Sequence, residues 1–131
     1  MSLKENLNSN TKRKNKFSVA LNGLICVFKE ESSFKYQFVL FILTIILGFI
    51  CKLNFIEWVL VVLMATLVFT FEILNTAIEN TIDLVSPEYN ELAGKVKDIS
   101  AGAVLVCAMG AVIIGILIFI PKIFKIGEVL L

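Results

Sequence analysis

The sequence predicts an all-α membrane protein, with a helix on the membrane surface followed by three transmembrane helices. Three observations predict this fold class. Hydrophobic residues make up 58% of the 131-residue chain, and the mean hydropathy of +0.90 is too high for an ordinary soluble domain. Long apolar runs alternate with short charged segments, which is typical of membrane spans. Near the N-terminus, apolar residues recur at helical spacing opposite polar ones, which is typical of a helix lying on a membrane.

The N-terminal part of the chain predicts a tail and an amphipathic helix. Residues 1–15 are rich in Asn, Lys and Ser and are predicted to form a flexible basic tail. Residues 16–30 predict the surface helix, because Phe17, Leu24 and Phe28 share one face. Basic residues on the opposite face would meet anionic headgroups. The alternative, a core-facing helix in a soluble bundle, is disfavoured by the apolar runs that follow.

Three apolar runs predict the transmembrane helices. The first run is short for a bilayer, which needs about 20 residues. The second is expected to stop at Ser86-Pro87 and the third at Pro121, because proline has no amide hydrogen to continue a helix. The predicted spans are residues 34–51, 55–85 and 97–120. A tight turn at 52–54 joins the first two, and a charged loop at 86–98 runs into the start of the third.

The distribution of basic residues predicts the orientation in the membrane. Nine of the twelve Lys and Arg residues lie before residue 36 or between residues 84 and 98. The positive-inside rule therefore predicts a cytoplasmic N-terminus and a cytoplasmic second connection. Lys122 and Lys125 would then lie on the outer side, against the rule. In this interpretation residues 16–124 form a single domain and residues 125–131 a C-terminal tail.

A row of polar side chains runs along the end of the second span. Glu72, Asn75, Glu79 and Asp83 fall within a sector of about 80° on one helix face. A carboxylate carried into a bilayer is costly, and it indicates a functional site. Glu72 is predicted near the cytoplasmic edge of the apolar layer, where it can take a proton from a hydroxyl group. Glu79 lies about 10 Å further along, within reach of a water-soluble ligand.

The residue types limit the chemistry of this face. The chain has no His, which excludes imidazole as a base or ligand, and its three cysteines lack metal-site spacing. Carboxylate oxygens favour Mg²⁺, completed by phosphate oxygens and water. Glu30 or Glu31 can supply a further ligand from the end of the surface helix. Lys95 and Lys97 can offset charge on a transferred phosphoryl group.

The residues alone leave three functions open: catalysis, proton-coupled transport and a structural role in polar helix packing. No nucleotide-binding motif of soluble enzymes is present. Because a chain with three spans has little interior of its own, a site is expected between subunits. Close helix packing is predicted by a stripe of small residues in the third span, namely Ala103, Cys107, Ala111 and Gly115.

Three segments carry a more specific signal. They read E-I-L-N-T-A-I-E at residues 72–79, followed by Asp83; E-Y-N-E-L-A-G-K-V-K-D at residues 88–98; and E-S-S-F-K at residues 31–35, preceded by Gly23-Leu24. Together they resemble the bacterial integral-membrane diacylglycerol kinases, a family that includes undecaprenol kinases. The resemblance extends over roughly residues 12–120.

The resemblance implies an ATP- and Mg²⁺-dependent lipid kinase in the inner membrane of a bacterium, with a cytoplasmic active site. It implies a homotrimer with sites shared between subunits, and no nucleic acid partner. The implied reaction converts diacylglycerol to phosphatidic acid, with undecaprenol as the alternative acceptor. A transporter or non-enzymatic membrane protein is the competing class, and it would be expected to carry its acidic residue near mid-bilayer.

By position, the resemblance implies a role for each residue of the site. Glu72 is the implied catalytic base towards the lipid hydroxyl, Glu31 and Glu79 the implied metal ligands, and Asn75 and Asp83 supporting residues. The implied ATP-binding residues are Lys12, Glu31, Glu79, Glu88, Tyr89, Asn90, Lys97 and Asp98, and the implied lipid-binding residues are Ser33, Phe34, Lys35, Tyr36, Gln37 and Glu72.

Overall fold

The computed structural model describes residues 16–130, which form four helices. The predicted all-α membrane architecture is confirmed, because three of these helices are long and apolar enough to cross a membrane. The N-terminal tail, which includes Lys12, lies outside the described residues. The helices are α1 (Lys16–Glu30), α2 (Ser32–Ile50), α3 (Phe55–Val85) and α4 (Glu91–Leu130).

The turn between α2 and α3 explains where α3 begins. Lys52 adopts the left-handed backbone region with a φ of 50°, which reverses the chain. Asn54 then caps α3: its side chain accepts a hydrogen bond from the amide of Glu57 at 3.0 Å. The Glu57 carboxylate accepts in return from the Asn54 amide at 2.7 Å. This reciprocal pair satisfies amides that the first helical turn leaves without partners.

The start of α4 differs from the prediction. The third span was predicted from residue 97, at the end of a charged loop, but α4 begins at Glu91, so residues 91–96 are helical as well. The cause is Asn90, whose side-chain oxygen accepts from the amides of Leu92 at 2.9 Å and Ala93 at 3.2 Å. An Asn in this position stabilises a helix start, and an acidic residue directly after it complements the helix dipole.

The end of α4 also differs from the prediction. Pro121 was expected to end the helix and residues 125–131 were expected to form a tail, but α4 continues through Pro121 to Leu130. A proline inside a helix removes one backbone hydrogen bond and strains the preceding turn. Membrane helices tolerate this loss better than soluble ones. The exposed position of Pro121 places its ring outside the helix contacts.

The spans pack as antiparallel neighbours, and the contact between α3 and α4 is the most extensive. Phe69 of α3 packs against Phe34, Phe38 and Phe41 of α2, with ring centroids 5.2 to 6.4 Å apart. Phe28 of α1 meets Phe34 and Phe38 edge-on. A second apolar cluster closes the opposite end of the bundle and contains Cys51, Leu53, Val61, Ile118 and Phe119.

Lys122, which the predicted orientation places on the outer side of the membrane, forms an ion pair within the chain. The Lys122 ammonium lies 2.9 Å from the Glu57 carboxylate, so α4 is joined to the first turn of α3. The charge of Lys122 is therefore balanced within the chain.

We expect Gly48→Ala to destabilise the bundle. A Cβ at Gly48 would lie 2.7 Å from the ring of Trp58, which itself packs on Phe49 with ring centroids 5.0 Å apart. Because that ring would have to move, the expected loss is about 1–3 kcal/mol in unfolding free energy, measured by detergent denaturation. Gly102→Ala is the matched control, since its Cβ would meet nothing within 4 Å. Equal losses in the two variants would contradict the packing argument.

Candidate functional site

Glu72 lies on α3 and faces α2. It is buried, with 5% of its surface exposed. Both of its carboxylate oxygens accept hydrogen bonds from α2. The Ser33 hydroxyl donates to Oε1, and the Gln37 amide donates to Oε2 at 3.0 Å. Charge-assisted bonds of this kind stabilise a carboxylate that has lost most of its contact with water. The structure thus joins three of the predicted site residues in one group, which we call the carboxylate cluster.

A second hydrogen-bonded group lies one to two turns further along α3. The Asn75 amide donates to Glu79 Oε1 at 2.9 Å. The Asn75 oxygen accepts from the Ser100 hydroxyl of α4, and the Ser100 oxygen also lies 3.2 Å from the backbone carbonyl of Lys97. Because Ser100 engages the oxygen of the Asn75 amide, the nitrogen is directed towards Glu79. Glu79 itself is half-buried.

Lys97 and Asp83 form an ion pair at the end of the same face. The Lys97 ammonium lies 2.5 Å from Asp83 Oδ1, and the two side chains keep 34% and 64% of their surface exposed. An ion pair this open to solvent contributes little to stability. Its effect is to hold the ammonium beside α3, close to the Asn75 and Glu79 group, where a cation can meet phosphate oxygens.

The polar row on α3 follows from helical periodicity. Residues three or four positions apart share a face, and this puts Glu72, Asn75, Glu79 and Asp83 in line. The buried Thr76, also four positions after Glu72, satisfies its hydroxyl by donating to the Glu72 carbonyl at 3.0 Å. The α3 face therefore carries acids, while α2 and α4 supply donors to it.

Several predicted lipid-binding residues make other contacts. Phe34 is buried and packs against Phe28 and Phe69. The Lys35 ammonium donates to the Lys29 carbonyl at the end of α1, at 2.8 Å. Tyr36 is 72% exposed. Of the predicted set, Ser33 and Gln37 are the residues that reach Glu72.

The predicted nucleotide-binding residues are only partly brought together. Glu88, Tyr89 and Asp98 are exposed, with Tyr89 exposed over 95% of its surface. Asn90 caps α4, as described above. Glu31 is the single residue between α1 and α2, has extended backbone and is half-buried. Within the described residues no hydrogen bond joins the Glu31 carboxylate to the groups around Glu72 or Glu79.

The arrangement of acids limits how a metal ion can bind. In the part of the chain that the structure describes, no three His, Cys, Asp or Glu side chains converge on a position suited to a metal ion. Glu79 is half-buried, and Asn75 occupies one of its oxygens. This donor set fits Mg²⁺ that arrives with a nucleotide and keeps phosphate and water ligands. It does not fit a resident ion held by protein ligands alone.

Sequence reasoning missed two polar residues of the site. Ser100 and Thr76 are both buried and hydrogen-bonded to the α3 row. Thr76 was detectable as a polar residue four positions after Glu72. Ser100 was detectable as a polar residue three positions after Lys97, but its contact with Asn75 depends on how α3 and α4 align. That alignment is not encoded in local periodicity.

A groove of about 380 Å³ opens beside the carboxylate cluster, between α2, α3 and α4. Gln37 lines one end of it, and the remaining walls are apolar except for Thr44. The Thr44 hydroxyl is already satisfied by the Leu40 carbonyl at 2.8 Å. The far end reaches Phe119, in the apolar cluster at the opposite end of the bundle. An elongated apolar ligand would fit such a groove, with its polar end at Gln37.

The chain is similar in sequence to known proteins along most of its length. The family described as "Prokaryotic diacylglycerol kinase" matches residues 18–119. The undecaprenol kinase of Bacillus subtilis (strain 168) is 40% identical over 106 residues, which cover 81% of this chain and 86% of that protein. The diacylglycerol kinase of Haemophilus influenzae is 35% identical over 107 residues, covering 80% and 91% of the two chains.

A third relative, the diacylglycerol kinase of Escherichia coli (strain K12), is 35% identical over 91 residues and covers 70% of this chain and 75% of its own length. The family match covers all four helices except the first two residues of α1 and the last part of α4. The polar row on α3 and the donors from α2 and α4 lie inside it. The chain therefore belongs to the prokaryotic diacylglycerol kinase family and is a lipid kinase.

Proposed function

We propose that the chain transfers the γ-phosphate of ATP to the hydroxyl group of a membrane lipid, with Glu72 as the general base. The observation that carries this proposal is the carboxylate cluster, in which Glu72 is buried and already accepts a hydrogen bond from a hydroxyl group. A general base needs this geometry towards the proton that it removes. Its place on a membrane-spanning helix suits an acceptor that stays in the bilayer.

The proposed step balances as a single phosphoryl transfer. The lipid oxygen attacks the γ-phosphorus, the bond from that phosphorus to the ADP oxygen breaks, and the hydroxyl proton passes to Glu72. Gln37 keeps the carboxylate in position through Oε2. Most of the rate enhancement then comes from holding the two reactants in place and from electrostatics.

The polar groups beyond Glu72 fit the nucleotide. Lys97 supplies a cation, which pairs with Asp83 in the absence of nucleotide. The capped start of α4 offers the positive end of a helix dipole in the same region, which favours phosphate. Glu79 and Glu31 would hold Mg²⁺, which when bound with ATP offsets charge on the phosphate oxygens. Asn75 orients Glu79 for that task.

Two acceptors follow from the named relatives. We propose undecaprenol as the preferred one, because the undecaprenol kinase shares 40% identity and the diacylglycerol kinases 35%. One continuous groove beside Gln37 also suits a single apolar chain with a terminal hydroxyl. Diacylglycerol, the acceptor expected from sequence, is the second candidate, since the match to the Haemophilus influenzae enzyme covers 91% of that protein.

We also propose a homotrimer with the active site on the cytoplasmic side of a bacterial inner membrane. Little of each span is buried within the chain, so most of its apolar surface is open to lipid or to further subunits. A cytoplasmic N-terminus puts Lys122 on the outer side, against the positive-inside rule. Its ion pair with Glu57 balances that charge, so Lys122 argues only weakly against this orientation.

The test measures transfer of labelled γ-phosphate from Mg·ATP to each acceptor in mixed micelles. We expect label in undecaprenol with a higher kcat/KM than in diacylglycerol. A higher value for diacylglycerol would reverse the order of the acceptors but keep the kinase. Label in neither lipid, from protein that is folded and oligomeric, would overturn the proposed function.

A further inference from the structure

The carboxylate cluster leaves almost no free surface on Glu72. Ser33 engages Oε1, Gln37 engages Oε2, and 5% of the residue is exposed. A lipid hydroxyl must donate to this same carboxylate if Glu72 is to remove its proton. Because so little of Glu72 is open, an acceptor that takes the place of one of the two donors from α2 reaches the base without opening the helix packing further.

Ser33 is the donor that can leave. It is exposed and lies in the first turn of α2, next to the break at Glu31, so its hydroxyl can turn to solvent. Gln37 lies one turn deeper and is half-buried. Its Oε1 is buried and has no hydrogen-bond partner within the described residues. Breaking its bond to Glu72 would leave a second buried polar atom without a partner, which is costly.

We propose that Ser33 is a displaceable cap on the catalytic base, and that its hydroxyl occupies the hydrogen-bonding position on Oε1 that the lipid hydroxyl takes when lipid binds. The inference rests on the proposed function and adds a role for Ser33 beyond lipid contact. The exchange replaces one hydroxyl donor on Oε1 by another, so the carboxylate remains satisfied before and after it.

The cap has a chemical consequence when no lipid is bound. Water on Oε1 would meet the same base and the same γ-phosphate as the lipid. Its oxygen would attack the γ-phosphorus, the bond to ADP would break, and Glu72 would take the water proton, giving ADP and inorganic phosphate. Ser33 suppresses this hydrolysis of ATP, because its hydroxyl is held on α2 and keeps Oε1 occupied.

The attachment of Ser33 to α2 also explains why a bound lipid displaces its hydroxyl from Glu72 and free water does not. A group fixed on the protein competes with free molecules at a high effective concentration. Free water therefore competes poorly with Ser33. A lipid whose chain lies in the groove beside Gln37 is itself held in place, so its hydroxyl competes with Ser33 more effectively than free water does.

The experiment compares Ser33→Ala with Ser33→Thr and with Ser32→Ala in the full chain, in micelles without acceptor and with increasing lipid. We expect Ser33→Ala to raise lipid-independent phosphate release about tenfold, the factor expected from loss of one hydrogen bond to a charged group. It should also lower KM for the lipid while kcat is kept. Ser33→Thr keeps a hydroxyl and should restore low hydrolysis. Ser32→Ala, a neighbouring exposed serine, should behave as wild type.

A double variant and the kinetic constants distinguish a capping role of Ser33 from a purely supporting one. Adding Glu72→Gln to Ser33→Ala should remove the extra hydrolysis, because that reaction needs the same base. Unchanged hydrolysis in Ser33→Ala, or a fall in kcat with KM unchanged, would show that Ser33 only supports Glu72 and would overturn the cap. If wild type phosphorylates lipid in the same preparation, that failure concerns the cap alone. If wild type phosphorylates neither lipid, the proposed function fails and the cap with it.

Discussion

Glu72→Gln should reduce phosphate transfer to the lipid by about a thousandfold or more, within the range that general bases contribute. The variant keeps the size of the side chain and an oxygen that accepts from Ser33, but it cannot take the hydroxyl proton. The change should therefore appear in kcat, measured with labelled Mg·ATP at saturating lipid. Binding of Mg·ATP and the oligomeric state should stay as in wild type.

Glu57→Gln is the matched control for this prediction. Glu57 lies on the same helix, at its other end, and pairs with Lys122 rather than with the carboxylate cluster. Loss of that carboxylate should leave kcat close to wild type. A Glu72→Gln enzyme with wild-type kcat would exclude Glu72 as the base, whereas equal loss in both variants would indicate a general effect on folding.

Glu79→Gln should raise KM for Mg·ATP about tenfold or more, in line with the loss of a charged metal ligand or its close partner. The amide oxygen can still accept from Asn75, so the hydrogen bond at 2.9 Å is kept and the negative charge is removed. The proposed metal ligation should weaken, while proton removal by Glu72 is untouched. Kinetics at fixed saturating lipid, with Mg²⁺ and ATP varied separately, measure the effect.

The control for Glu79 is Glu91→Gln, an exposed acid in the first turn of α4. It removes an equal charge from the neighbouring helix without touching the hydrogen-bonded group. KM for Mg·ATP should change little in this variant. An unchanged KM in Glu79→Gln, across the whole Mg²⁺ titration, would remove Glu79 from the metal site.

Periodicity and hydropathy were sufficient for the parts of the fold that depend on local sequence. The polar row on α3 follows from helical spacing, and α3 begins at Phe55, the first residue of the second apolar run. The bounds of α4 were mispredicted at both ends. Proline was given too much weight at position 121, and the capping ability of Asn90 was overlooked within a charged segment.

The contacts that build the candidate site were harder to predict, because they join different helices. Gln37 and Ser33 were expected to contact lipid, and their hydrogen bonds to Glu72 depend on how far α2 is shifted along α3. Ser100 depends in the same way on the alignment of α4. Sequence spacing fixes which face a residue occupies. It does not fix which residue of a neighbouring helix stands opposite.

The two ion pairs between α3 and α4 bear on how the protein responds to bilayer thickness. Glu57 with Lys122 and Asp83 with Lys97 join the helices near both ends of α3, with the acid on the same helix each time. Sliding one helix by a turn, about 5.4 Å, would separate both pairs at once. Because the packing of α3 on α4 is also the most extensive between any two helices, a thinner or thicker bilayer should tilt the helix pair as a unit. Glu72, Asn75 and Ser100 would keep their relative depth while the surrounding lipid changes.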